Sequence, residues 1–248
     1  MSEYGQAMAL AILSLALPVG WSWLKGKRVK AGAGQTINKQ WLNPAARFFY
    51  GVGLPYLALI SGMLPPRFLG LKGLENFVST SLTGDFSAEL QKAVTVMLLE
   101  GLVDINVMLG VGLAALLILA GIRLALAQLG LELGAGYHTS VLDTVYDSLH
   151  WAFYRAIFWV ITGDLYLGVV WGAAWLLLEW GLVAWVQKNW PAQQPHFLTN
   201  TIILILTSTI FFYSPNLWLL WLIHLALVAI VTLRLHRESA LFTHQKNF

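Results

Sequence analysis

The chain has 248 residues, of which 58% are hydrophobic and 11% charged, and its mean hydropathy is +0.67. Soluble domains carry about 25% charged residues, so this composition holds more apolar surface than one soluble core can hide and points to the bilayer as solvent. The 15 Lys and Arg against 12 Asp and Glu leave a net charge of +3; the basic residues gather near predicted helix ends, which argues for membrane topology and against nucleic-acid binding. The absence of cysteine excludes disulfides, iron–sulfur clusters, thiolate zinc sites and a cysteine nucleophile.

A spanning helix needs about 20 mostly apolar residues. The first runs from Ala7 to Leu24 and is closed by Lys25, Lys27, Arg28 and Lys30. No basic n-region or small-residue cleavage site accompanies it, so it is expected to stay as an anchor. The second runs from Pro44, placed in a first helical turn, to Leu64, before Pro65-Pro66. Residues 65–92 mix charges with Phe68, Leu71, Leu74 and Phe77, as an interfacial segment does. An amphipathic helix is expected from Ser87, as N-cap, to about Val103, leading into a third span over Asn106–Gln128.

The fourth span, Val141–Thr162, is the most polar. Gly163-Asp164 turns the chain into the fifth, Leu165–Val186, and spans six and seven follow at Phe197–Tyr213 and Leu217–Leu233, joined by Ser214-Pro215-Asn216. The expected fold class is therefore an all-α, polytopic integral membrane bundle of about seven helices plus an interfacial amphipathic segment. It forms one membrane domain over 1–248: N-terminal spans to 140, a helical core over 141–235 and a tail over 236–248. Lys and Arg in short loops place the amino-terminus outside and the carboxy-terminus in the cytoplasm of a multi-pass cell-membrane protein. Trp21, Trp23, Trp41, Trp185 and Trp190 fall near helix ends, where indoles anchor at the headgroups.

Ionisable groups inside a bilayer cost at least ~2.5–3.5 kcal/mol each, so they should face the bundle interior. Asp143, Asp147, His150 and Tyr154 form one stripe of span four, with Trp151 and Arg155 on the adjoining stripe. Glu179 of span five and His224 of span seven join them in an expected common interior. The plainest reading is structural: Arg155 pairs with Glu179 or Asp147, and the histidines hydrogen-bond across helices. Two readings with a cofactor stand beside it. His150, His224 and a carboxylate suit zinc, and a lone intramembrane histidine, His150 or His224, suits a haem or chlorophyll-type pigment. The cofactor is left unassigned.

Three elements in order resemble the CAAX-protease and bacteriocin-processing family of intramembrane proteases. The family carries Glu-Glu-x-x-x-Arg on one helix, Phe-x-x-x-His on the next and His-x-x-x-Asn or Asp on a later one. Here His150-Trp151-Ala152-Phe153-Tyr154-Arg155 keeps the arginine and aromatics but replaces both glutamates. Trp175-x-x-x-Glu179 keeps an aromatic and puts a carboxylate where the family has histidine. Ser214-Pro215-Asn216-Leu217-Trp218 with His224-Leu225-Ala226-Leu227-Val228 keeps the turn and the histidine but not the final Asn. The resemblance spans residues 141–235 and makes His150, Arg155, Glu179 and His224 the positions equivalent to catalytic ones.

In the family the glutamates are thought to activate a water, and this chain lacks the pair. The expected function is a non-catalytic scaffold or accessory subunit of a larger membrane complex, with the bilayer and other membrane subunits as partners. Alternatives are an active intramembrane peptidase in which Glu179, Asp147 or His150 supplies the base, and a pigment- or haem-associated subunit of a photosynthetic or respiratory complex. A transporter ranks lower, because no inverted repeat with discontinuous helices is visible.

Overall fold

A computed structural model describes residues 3–30, 39–72, 86–129, 133, 140–188 and 190–232. The residues it describes form an all-α bundle with no strand among them. Helix α1 covers Glu3–Lys30. α2 (Lys39–Phe48) continues through a π-helical turn, Phe49–Gly53, into α3 (Leu54–Ile60), and a 3-10 turn follows at Pro66–Leu69. Then come α4 (Phe86–Gln128), α5 (Val141–Thr162), α6 (Leu165–Gln187), α7 (Trp190–Tyr213) and α8 (Leu217–Thr232).

Three helical segments are long and apolar enough to cross a membrane: Tyr4–Leu24, Gly101–Gln128 and Leu165–Gln187. The apolar helices at Phe197–Tyr213 and Leu217–Thr232 are shorter. Large hydrophobic side chains lie exposed along the outside, among them Leu13 on α1, Leu109 and Leu117 on α4, and Trp171 on α6.

Helix α5 is the axis around which the others pack. Every residue from His150 to Phe158 is buried, which is how a helix enclosed on all sides behaves. It touches α1, α6, α8, the π-helical turn and the 3-10 turn. Its start is fixed by a capping box: Ser140 Oγ accepts from the Asp143 amide and Asp143 accepts from the Ser140 amide, both at 3.1 Å. Its end is Gly163, in the left-handed conformation at φ +69°, and Asp164 then caps α6 by accepting from the Leu167 amide at 2.8 Å.

The α5–α6 hairpin closes backbone to backbone. A Cβ on Gly168 would lie 2.6 Å from the Trp159 backbone, and one on Gly172 would lie 2.8 Å from the Arg155 amide nitrogen. These two glycines form a G-x-x-x-G face, which lets helices approach where apolar solvent offers no hydrophobic drive.

Contacts at the two ends order the helices. At one end the Leu217 amide donates to the Gly70 carbonyl at 2.8 Å and Phe68 lies 4.4 Å from Trp159. At the other, Gln187 donates to Ser22 at 3.2 Å, Arg47 pairs with Asp143 at 2.8 Å, and Arg123 donates to the Ile230 carbonyl.

Several boundaries differ from the sequence-based expectation. Pro44 lies inside α2, because the helix begins at Lys39. Ser87, expected as an N-cap, is already helical, and the amphipathic segment and the third span are one continuous helix. α7 starts at Trp190, ahead of the expected Phe197. The loop around Glu132 and His138, residues 73–85 of the interfacial segment, and the tail over 236–248 lie outside the described residues.

Candidate functional site

The polar residues of α5 serve two chambers. Positions 147, 150 and 154 face one way, and positions 148, 151 and 155, one residue or about 100° further round, face another. The sequence-based expectation of one common interior is corrected by this arrangement.

The first chamber centres on Glu179 of α6, which is 4% exposed. Tyr154 donates its hydroxyl to Glu179 Oε2 at 2.5 Å, and His150 Nε2 lies 3.6 Å from the same oxygen. Tyr50 covers this group: its ring lies 4.1 Å from the His150 imidazole, and its hydroxyl is buried without a hydrogen-bond partner among the described residues. The π-helical turn at Phe49–Gly53 brings Tyr50 there, and Gly51 permits it, since a Cβ at that position would lie 2.9 Å from the Tyr146 Cβ. Ser14 of α1, fully buried, closes the chamber beside Tyr154.

The second chamber joins α5, α7 and α8. Ser148 Oγ and His224 Nδ1 are 2.7 Å apart, and the imidazole stacks on Trp151 at 4.7 Å between ring centres. One turn further on, Arg155 is 1% exposed; its Nη2 donates to Thr207 at 3.2 Å and Ser208 at 3.1 Å, and its guanidinium lies 5.1 Å above the Phe211 ring. The hydroxyls and the aromatic face take the place of the expected ion pair. Among the described residues Arg155 has no ion pair with Glu179 or Asp147. Of the histidines expected to hydrogen-bond across helices, His224 of α8 does so with Ser148 of α5, and His150 packs beside Glu179 in the other chamber.

Asp143 is placed at the helix start, where it completes the capping box and pairs with Arg47. It belongs to the bundle's end rather than its polar interior. Asp147 is partly exposed, one turn beyond Asp143. No three His, Asp or Glu side chains converge as a metal-ligand set among the described residues.

A third polar group escaped the sequence reading. Asp104 of α4 accepts two hydrogen bonds from Lys72 Nζ, at 3.0 and 2.8 Å, and one from Asn216 Nδ2 at 3.0 Å. Asn216 Oδ1 in turn accepts from the Trp218 amide at 3.1 Å, capping α8. This knot ties α4, the 3-10 turn region and the α7–α8 turn together. The signal was present as a carboxylate, four residues after Glu100, at the head of a long apolar run, where it demands a partner.

Among the clefts that the described residues form, one of about 500 Å³ lies beside Lys72, Asp104 and Trp159, and another of about 540 Å³ between α4 and α7. Neither is lined by His150, Glu179, Arg155 or His224. No protein-family model, curated protein or solved structure matches the chain.

Proposed function

We propose that the chain is a multi-pass membrane protein, a relative of the CAAX-protease type in which the polar interior holds the bundle instead of hydrolysing a bond, and that it serves as a scaffold or accessory subunit of a larger membrane complex. The observation that carries this reading is the engagement of Glu179. A general base needs room for a water and a substrate within reach. Glu179 instead is 4% exposed, accepts from Tyr154 at 2.5 Å and packs against His150.

The apolar exterior supports the membrane part of the proposal. An isolated soluble monomer rarely exposes contiguous apolar patches beyond a few hundred Å². Here α1, α4 and α6 present leucines and tryptophans outward over spanning lengths. Arg47, Arg123 and Lys188 gather at the end where α1 and α8 finish, so that end is assigned to the cytoplasm of the cell membrane and the amino-terminus to the outside.

Purification from the native membrane in a gentle detergent, with mass spectrometry of everything that co-elutes, tests the subunit assignment. Stoichiometric membrane partners are expected. A lone protein that cleaves peptide, with cleavage lost in Glu179→Gln, would overturn it in favour of a peptidase. The 3.6 Å approach of His150 to Glu179 is the one observation favouring that second reading.

A further inference from the structure

The cleft of about 500 Å³ beside the 3-10 turn is lined by two cations, Arg67 and Lys72, one carboxylate, Asp104, and the apolar side chains of Leu99 and Val103 of α4, Trp159 of α5 and Pro215. Asp104 accepts from Lys72 and Asn216, so among the described lining residues two cations stand against one carboxylate, an excess of one positive charge. That charge is held at the rim by a stack of rings: the Arg67 guanidinium lies 5.0 Å above Phe68, and Phe68 lies 4.4 Å from Trp159.

Trp159 is three residues from the end of α5, the level at which indoles and cations meet headgroups. Leu99 and Val103, 59% and 70% exposed, lie one helical turn apart on α4 and line the same cleft. Volume in this range suits a ligand-sized group.

We propose that this cleft binds an anionic phospholipid, its phosphate held by Arg67 and Lys72 and an acyl chain laid against Leu99 and Val103. The inference rests on the reading of the chain as a membrane protein. Charge complementarity selects the headgroup, since basic pockets between spanning helices recognise anionic lipids. The apolar wall selects a lipid over free phosphate, which would gain nothing from it.

The test uses the full chain purified in a neutral detergent, with thermal unfolding followed as dioleoyl phosphatidylglycerol, dioleoyl phosphatidylcholine or inorganic phosphate is added. Phosphatidylglycerol is expected to raise the melting temperature in a saturable way. Arg67→Gln should weaken half-saturation roughly tenfold, the loss of one charge-assisted contact. Val103→Trp, which fills the groove and leaves the charges alone, should weaken it too. Equal stabilisation by phosphatidylcholine, stabilisation by inorganic phosphate, or unchanged lipid response in both variants would overturn the proposal. Recovery of the protein from the soluble fraction without detergent would overturn the membrane reading itself, a distinct result.

Discussion

At the residue scale, the two chambers make different demands on their side chains. The Tyr154–Glu179 contact is a buried hydrogen bond to a carboxylate between two helices. In membrane bundles such bonds contribute about 0.6 kcal/mol on average and up to about 2 kcal/mol. Tyr154→Phe is therefore expected to lower stability by about 1 kcal/mol, and Tyr154→Phe with Glu179→Gln to be non-additive in a double-mutant cycle followed by unfolding in mixed micelles. Additive losses would mean that the two side chains are uncoupled. Arg155 is a buried cation whose Nη2 donates to two hydroxyls and whose guanidinium lies over a ring, while its Nε and Nη1 find no hydrogen-bond partner among the described residues. Replacing a buried charge with an apolar residue of similar volume is often neutral or stabilising, whereas a cavity is not. Arg155→Met should keep the folded bundle, and Arg155→Ala should cost about 2–4 kcal/mol by the same unfolding assay. A methionine variant as damaged as the alanine one would show that the guanidinium itself is required. The stripe of Asp143, Asp147, His150 and Tyr154 was legible because helical periodicity is a property of the sequence. The adjoining stripe of Trp151 and Arg155 was legible for the same reason; that the two stripes meet different neighbours was not, because this depends on the packing of α1, α6, α7 and α8. Tyr50 was equally hidden: only the π-helical turn rotates it over His150.

At the element scale, the α5–α6 hairpin and the long α4 define the architecture. A methyl group on Gly172 would meet the Arg155 amide nitrogen at 2.8 Å, and backbone cannot give way as a flexible side chain does. Gly172→Ala is expected to cost about 1–3 kcal/mol through overpacking. Gly121→Ala, where nothing lies within 4 Å, should stabilise α4 by roughly 0.5–1 kcal/mol. Thermal unfolding of the two variants side by side checks the pair, and equal effects would contradict the close approach of α5 and α6. Helix α4, at 43 residues, is roughly 64 Å long against a hydrocarbon core of about 30 Å. Its apolar segment Gly101–Gln128 is long enough to span that thickness with a tilt. Element existence was legible from apolar runs, and so were the Gly163-Asp164 and Ser214-Pro215-Asn216 turns. The starts of α2, α4 and α7 were misplaced because polar first turns carry no apolar signal. Pro44 lies within α2, where it has no N–H to donate to the carbonyl four residues earlier and its ring crowds that carbonyl.

At the scale of the whole molecule, the arrangement is an apolar shell around a polar axis. Helix α5, too polar to count among the long apolar helices, is buried by its neighbours, and the more apolar α1, α4 and α6 face outward. That ordering is what a bilayer requires, since charge is tolerated only where protein surrounds it. The Lys72–Asp104–Asn216 knot at one end and the Arg47–Asp143 pair at the other hold the two ends. The central claim is that these ends lie on opposite sides of a membrane. The chain contains no cysteine, so single cysteines report without background. Labelling Ser61→Cys, Leu117→Cys and Lys188→Cys in intact and permeabilised cells with an impermeant maleimide tests the claim most directly. Ser61→Cys should label from outside, Lys188→Cys only after permeabilisation, and Leu117→Cys in neither condition. Labelling of Ser61→Cys and Lys188→Cys from the same side, or ready labelling of Leu117→Cys, would contradict it.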